Sequence, residues 1–101
     1  MRRTGKSYAH PLVVLIALPN QHEHSRVAVA AGRSIGNAVQ RNRAKRLLRH
    51  AIQPLFPMIP PSWDIILVAR RPMTIATLQQ TEQALRTLLS RAKLVQNLHG
   101  Q

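Results

Sequence analysis

The chain has 101 residues and a net charge of +12, with fifteen Lys and Arg against three acids, Glu23, Asp64 and Glu82. That length holds one domain with one core. A hydrophobic fraction of 45% excludes a wholly disordered chain, and the absence of cysteine excludes disulfide frameworks and cysteine-ligated zinc.

An excess of positive charge weakens a compact state unless a polyanion relieves it. Nucleic acid is the first candidate partner and a membrane surface the second. No apolar run approaches the roughly 18 residues of a membrane span. The apolar stretch near the start breaks too soon for a signal peptide and lacks a cleavage site. A cytoplasmic location is the expectation.

Residues 1–6 are basic and expected to be loose, as is the tail from 97 to 101. Leu12 to Leu18 is a continuous aliphatic run between Pro11 and Pro19 and predicts a buried strand. Asn20 to Ser25 is polar and predicts a turn. Arg26 to Ala31 predicts a second strand, paired with the first as a hairpin. Gly32 to Gly36 predicts a loop.

From about Asn37 to Gln53 the pattern changes to a helix, ending before Pro54. Between Arg41 and Arg49, five of the fifteen basic residues fall in nine positions without an acid. At about 100° per residue, Ala44, Leu47, Leu48, Ala51, Ile52 and Leu55 share one arc. Asn42, Arg43, Lys45, Arg46, Arg49 and His50 fill the opposite arc, with Arg41 at the boundary. The helix therefore has a core face and a phosphate face. Asn37 and Ser34 are both candidate caps, and cations toward the C-terminal half suit the helix dipole.

Four prolines between Pro54 and Pro61 predict a stiff connection. Trp63 to Ala69 predicts a third strand, buried on both faces. A final helix is expected from about Leu78 to Val95. Thr77 and Gln80 have capping-box spacing, and Leu78, Leu85, Leu88, Leu89 and Ala92 form the apolar stripe. The expected class is a single α+β domain of order β-β-α-β-α. The basic helix is a crossover candidate between parallel neighbours.

Catalytic chemistry is sparse. Three scattered carboxylates make a poor nuclease site, because two-metal phosphoryl chemistry needs several acidic ligands. No zinc-protease helix, nucleophile elbow or Walker loop is present. His22-Glu23-His24 has no third ligand in view and is expected to be a solvated loop, and His50 belongs to the basic face. With Tyr8, Phe56 and Trp63 as the only aromatics, a sheet of base-stacking rings is not available. Trp63 is expected in the core. Gly32 and Gly36 are spaced too widely for the clamp loop of a KH domain.

The segment Ile35-Gly36-Asn37-Ala38-Val39-Gln40-Arg41-Asn42-Arg43-Ala44-Lys45-Arg46-Leu47-Leu48-Arg49 closely resembles the RNR signature of the bacterial ribonuclease P protein subunit. Arg26-Val27 before it, Asp64 to Arg70 after it and the Leu-rich final helix also resemble that family. The resemblance runs from about Arg3 to Lys93. It implies a small α/β sandwich, ribosomal protein S5 domain 2-like, with a left-handed crossover at the basic helix against the general rule.

The resemblance further implies a protein partner of a catalytic RNA. Together they remove the 5′ leader from precursor tRNA. The protein would bind the RNA and the leader and lower the metal requirement, with magnesium held largely by the RNA and no catalytic residue in the protein. No protein oligomer is required. The signature's polar positions here are Asn37, Arg41, Asn42, Arg43, Lys45, Arg46 and Arg49. Carried over, these contact the catalytic RNA, where arginine forks suit phosphate. Arg33 joins them, and Tyr8 is a candidate leader contact.

Three features depart from the family pattern. The family's aromatic-bearing first helix has no counterpart in this sequence, which is either a shortened form or one in which that helix is lost or not included, and the leader cleft is the part of the resemblance this leaves open. A lysine pair common before the signature is replaced by Arg33 and Ser34. Small polar residues on the preceding strand are replaced by Ala30 and Gly32. The competing readings are a structural RNA-binding protein of ribosomal or chaperone type, a nuclease acting alone, and a membrane-surface protein. The acid count opposes the nuclease. The lack of a large exposed aromatic face opposes the membrane reading.

Overall fold

The computed structural model describes residues 5–94. Strand β1 (Lys6–Ala9) leads into β2 (Val13–Pro19), and β3 (Arg26–Ala30) follows a polar loop. Helix α1 (Ala38–Ile52) connects to β4 (Trp63–Ala69), and α2 (Leu78–Arg91) closes the fold. Short 3₁₀ turns occupy Arg33–Ile35, Phe56–Met58 and Arg71–Ile75. The β-β-α-β-α order stands, with β1 added ahead of it.

The sheet order is β1-β2-β4-β3. β2 runs antiparallel to both β1 and β4, while β3 runs parallel to β4. The hairpin expected between Leu12–Leu18 and Arg26–Ala31 is therefore incorrect, because β4 lies between those two strands. β4 is aliphatic from Ile65 to Ala69, and a central position gives it ladder partners on both edges. β3 carries Arg26 and small alanines and takes the outer edge. The loop before β3 is pinned instead to the entry of β4. Asn20 N donates to Ser62 O at 2.8 Å, and Ser25 Oγ donates to Pro60 O at 2.6 Å and accepts from Trp63 N at 3.0 Å. Helix α1 forms the crossover between parallel neighbours, as its position between the strands implies.

Both helices pack on one face of the sheet. Val13, Leu15 and Ala17 of β2 face them, opposite Ala69, Leu67 and Ile65 of β4, and all six are buried. The alternate residues Val14, Ile16, Ile66 and Val68 are only partly buried. The expectation that the third strand is buried on both faces is corrected: no helix covers the second face among the described residues. Trp63 is half-buried against the core.

Both helices begin with the same device. In α1 the Asn37 side chain accepts from Gln40 N at 2.9 Å, while Gln40 Oε1 accepts from Asn37 N at 3.0 Å. In α2, Thr77 and Gln80 repeat the exchange at 3.1 and 3.0 Å. Each such cap contributes about 1 kcal/mol. Asn37 rather than Ser34 is thus the cap of α1. Gly36, just before it, has φ 135°, and a Cβ there would collide with the Gln40 side chain, so only glycine fits this entry to the helix.

Ala44, Leu48, Ala51, Ile52 and Leu55 are buried as the periodicity requires, and Leu47 is half-buried. In α2, Leu85, Leu88 and Leu89 are fully buried, together with Ala84 and Thr81. Leu78 is not part of that stripe: it opens the helix at 47% exposure, while Thr81 of the same turn takes the buried side. The helix ends at Arg91, and Val95 and the tail lie outside the described residues. Lys6, expected to be loose, pairs with Ala17 in the β1–β2 ladder.

Candidate nucleic-acid interface

The outward face of α1 is set by the packing of its inward face. Once Ala44, Leu48 and Ala51 are committed to the core, the 100° rotation per residue turns Asn42, Arg46 and Arg49 directly outward. All three are exposed, with His50 beside them and Lys45 half-buried at the margin. No acid lies on the helix. Among the described residues the one ion pair joins Arg26 of β3 to Asp64 of β4, and none involves a residue of α1. Arg33 is exposed in the turn just ahead of the helix.

The remaining signature residues are engaged within the fold. Asn37 is held in the capping box. Arg41 Nη1 donates to Gly36 O at 2.7 Å, tying the first turn to the loop before it. Arg43 Nη1 donates to Met73 O and Thr74 O, each at 3.2 Å, and Nη2 donates to Ala76 O at 2.9 Å. These three carbonyls belong to the turn before α2. The forked guanidinium geometry lets one side chain satisfy all of them, so Arg43 joins the two helices. Sequence periodicity puts Arg43 on the polar arc but gives no sign of acceptors some thirty residues away.

Tyr8 lies apart from this face. Its partner in the ladder is Leu15, which puts its side chain on the helix side of the sheet, half-buried against the core. It lines a small cavity with Lys6, Trp63, Ala92 and Leu94.

Among the described residues no group of three His, Cys, Asp or Glu could hold a metal ion. Asp64 is already used: it accepts from Arg26 Nε at 3.1 Å, Arg26 Nη2 at 3.0 Å and Asn20 Nδ2 at 2.7 Å. The hydrogen bonds from Arg26, then from Asn20, hold its carboxyl below the usual carboxylate range. His22 donates its backbone N–H to Asn20 Oδ1 in a turn that no metal-binding group completes. No helix among the described residues is long and apolar enough to cross a membrane.

Similar proteins identify the family. A protein-family model described as Ribonuclease P matches residues 1–93. The chain is 36% identical over 94 residues to the ribonuclease P protein component of Herpetosiphon aurantiacus, covering 93% of this chain and 76% of the relative. A structure of the Staphylococcus aureus RNase P protein superposes with a TM-score of 0.78 at 31% identity, covering 90% of this chain and 84% of that one. The RNase P protein from Thermotoga maritima gives 0.76 at 26% identity, covering 86% and 83%. With the signature, the sheet order and the two capped helices all in place, the chain belongs to the ribonuclease P protein component family.

Proposed function

We propose that this protein binds the ribonuclease P RNA through the outer face of α1 and assists the RNA in removing the 5′ leader from precursor tRNA. The observation that carries this reading is the acid-free outer stripe of α1, where the cations Arg46 and Arg49 sit with Asn42 between Lys45 and Arg33. A folded RNA offers closely spaced phosphates, and arginine forks bind them in pairs of parallel hydrogen bonds. Neutralised phosphates release counterions, which makes such binding strong at low salt.

Within the signature the residues divide the work. Arg33, Asn42, Lys45, Arg46 and Arg49 contact the RNA. Asn37, Arg41 and Arg43 are positioning residues that fix the first turns of α1 against the loop and the turn before α2. A rigid helix presents its cations with little loss of freedom on binding, which favours affinity. Tyr8 remains the candidate leader contact, although its ring packs on the helix side of the sheet. Cleavage is assigned to the RNA and its magnesium ions in the cytoplasm, with the protein supplying charge and position and no protein oligomer required.

The test is reconstitution. Protein, a bacterial ribonuclease P RNA and a precursor tRNA are mixed at low magnesium, and 5′-leader release is measured against RNA alone and protein alone. Release that requires both components supports the reading. Tight RNA binding with no stimulation of cleavage contradicts the processing role, and cleavage by protein alone contradicts the division of labour.

A further inference from the structure

Where α1 ends, its cationic stripe runs into a groove. One wall is the last turn of α1, with Arg49 and Gln53, and the other is the outer strand β3. Val27, Val29, Ile52 and Phe56 give it an apolar lining. The groove holds about 690 Å³, within the roughly 300–1,000 Å³ of small-ligand sites.

Three features define its chemistry. First, β3 is an edge strand, and among the described residues no strand pairs with its outer side, so its alternate N–H and C=O groups face a prospective ligand. Second, the Phe56 ring is 38% exposed and is the most exposed aromatic among the described residues. Third, the ionisable groups lining the groove are Arg49 and His50, with no acid among them. An apolar slot lined by an aromatic ring, a guanidinium and an edge strand matches an unpaired nucleotide. The base has a π-face for the ring, a polar edge for the strand and a phosphate for the arginine.

We infer that this groove takes one unpaired nucleotide of the RNA, with its base on Phe56 and its phosphate on Arg49. The inference rests on the reading of α1 as the RNA interface, with which the groove is continuous. It extends that interface beyond the signature to a residue the signature does not contain. Phosphate contacts along α1 carry affinity, and the Phe56 stack fixes where along the RNA the helix sits.

The test is equilibrium binding of the full chain to ribonuclease P RNA, comparing Phe56→Ala, Phe56→Tyr and Arg46→Gln. A second reporter is Phe56→Trp in a Trp63→Phe background, whose indole emission is followed as RNA is added. The inference expects Phe56→Ala to bind about 5- to 150-fold more weakly, Phe56→Tyr to bind normally, and the indole to be quenched. Wild-type affinity in Phe56→Ala with unquenched emission overturns it, and if Arg46→Gln then weakens binding, the α1 interface still stands. If Arg46→Gln is silent while Phe56→Ala weakens binding, the interface reading fails and the groove stands. Should Phe56→Ala prove unfolded, the quenching experiment decides. Quenching by an extended peptide but not by RNA overturns the inference in favour of strand addition at β3.

Discussion

Helices α1 and α2 are built alike and face outward differently. They have 15 and 14 residues, start with the same capping box and bury one apolar face against the same side of the sheet. α1 shows solvent Asn42, Arg46, Arg49 and His50. α2 shows Gln79, Gln80 and Gln83, with Glu82 and Arg86 half-buried on its flank. The shared inward pattern accounts for the fold, because it is what buries surface against the sheet. The outward difference is what the proposed RNA contact rests on, because of the two helices only α1 concentrates charge of one sign without compensation. Arg43 spans the two roles: its charge belongs to the α1 pattern, and its hydrogen bonds go to the entry of α2.

The comparison breaks most severely from the inside. Leu48→Ala empties a fully buried position and is expected to cost about 2–5 kcal/mol. Leu88→Ala, its fully buried counterpart in α2, falls in the same range. Denaturant unfolding of both variants checks this, and RNA affinity at a temperature where they remain folded is expected to be retained. Loss of RNA affinity with unchanged stability would instead place Leu48 at the interface. Arg43→Ala comes next. It leaves three carbonyls without their donor, for an expected loss of about 1.5–3 kcal/mol. Its effect on RNA is expected to follow that loss of helix positioning, with an unchanged salt slope, whereas a slope reduced by about 0.7–0.9 would make Arg43 a direct phosphate contact. Asn37→Ala removes one half of the α1 cap and is expected to cost about 1 kcal/mol, matched by Thr77→Ala in α2.

The smallest expected effects are in pH. Burial, and then the nearby positive charge of Arg91, lower the pKa of His10, whose Nδ1 accepts from Leu12 N at 3.1 Å. The unfolded chain therefore binds the proton more readily. Stability is expected to decline as pH falls below about 6.5, and a His10→Asn variant is expected to lose that dependence. Asp64 acts in the same direction at lower pH. Its lowered pKa gives a contribution present above about pH 3.9 that is lost as pH falls through the folded value, and Asp64→Asn is expected to flatten the acid limb. A wild-type stability curve flat from pH 7 to 3 would contradict both assignments.

How legible these features are depends on how far apart the interacting residues lie. The two faces of α1 follow from sequence because a 3.6-residue period is local, and both capping boxes follow because their partners are three residues apart. The placement of β3 does not, since adjacency along the chain favours a hairpin and only the tertiary fold inserts β4 between the two strands. Strand β1 is four residues long, with a lysine and a serine among them, and carries no alternation of its own. Its order comes from pairing with β2. The surroundings of Arg43 and Phe56 are hidden from the sequence for the same reason. A cation beside cations suggests phosphate, and a phenylalanine among prolines suggests a loop, until carbonyls and strands distant in sequence are brought beside them.

The most direct measurement is the salt dependence of binding to ribonuclease P RNA for two charge-matched variants. One is Arg46→Gln with Arg49→Gln on α1; the other is Arg86→Gln with Lys93→Gln on and just beyond α2. Each lowers the net charge by two. The log–log slope is expected to fall by about 1.4–1.8 for the α1 pair and to stay at the wild-type value for the α2 pair. Equal reductions in both would mean that overall charge, and not the outer face of α1, binds the RNA.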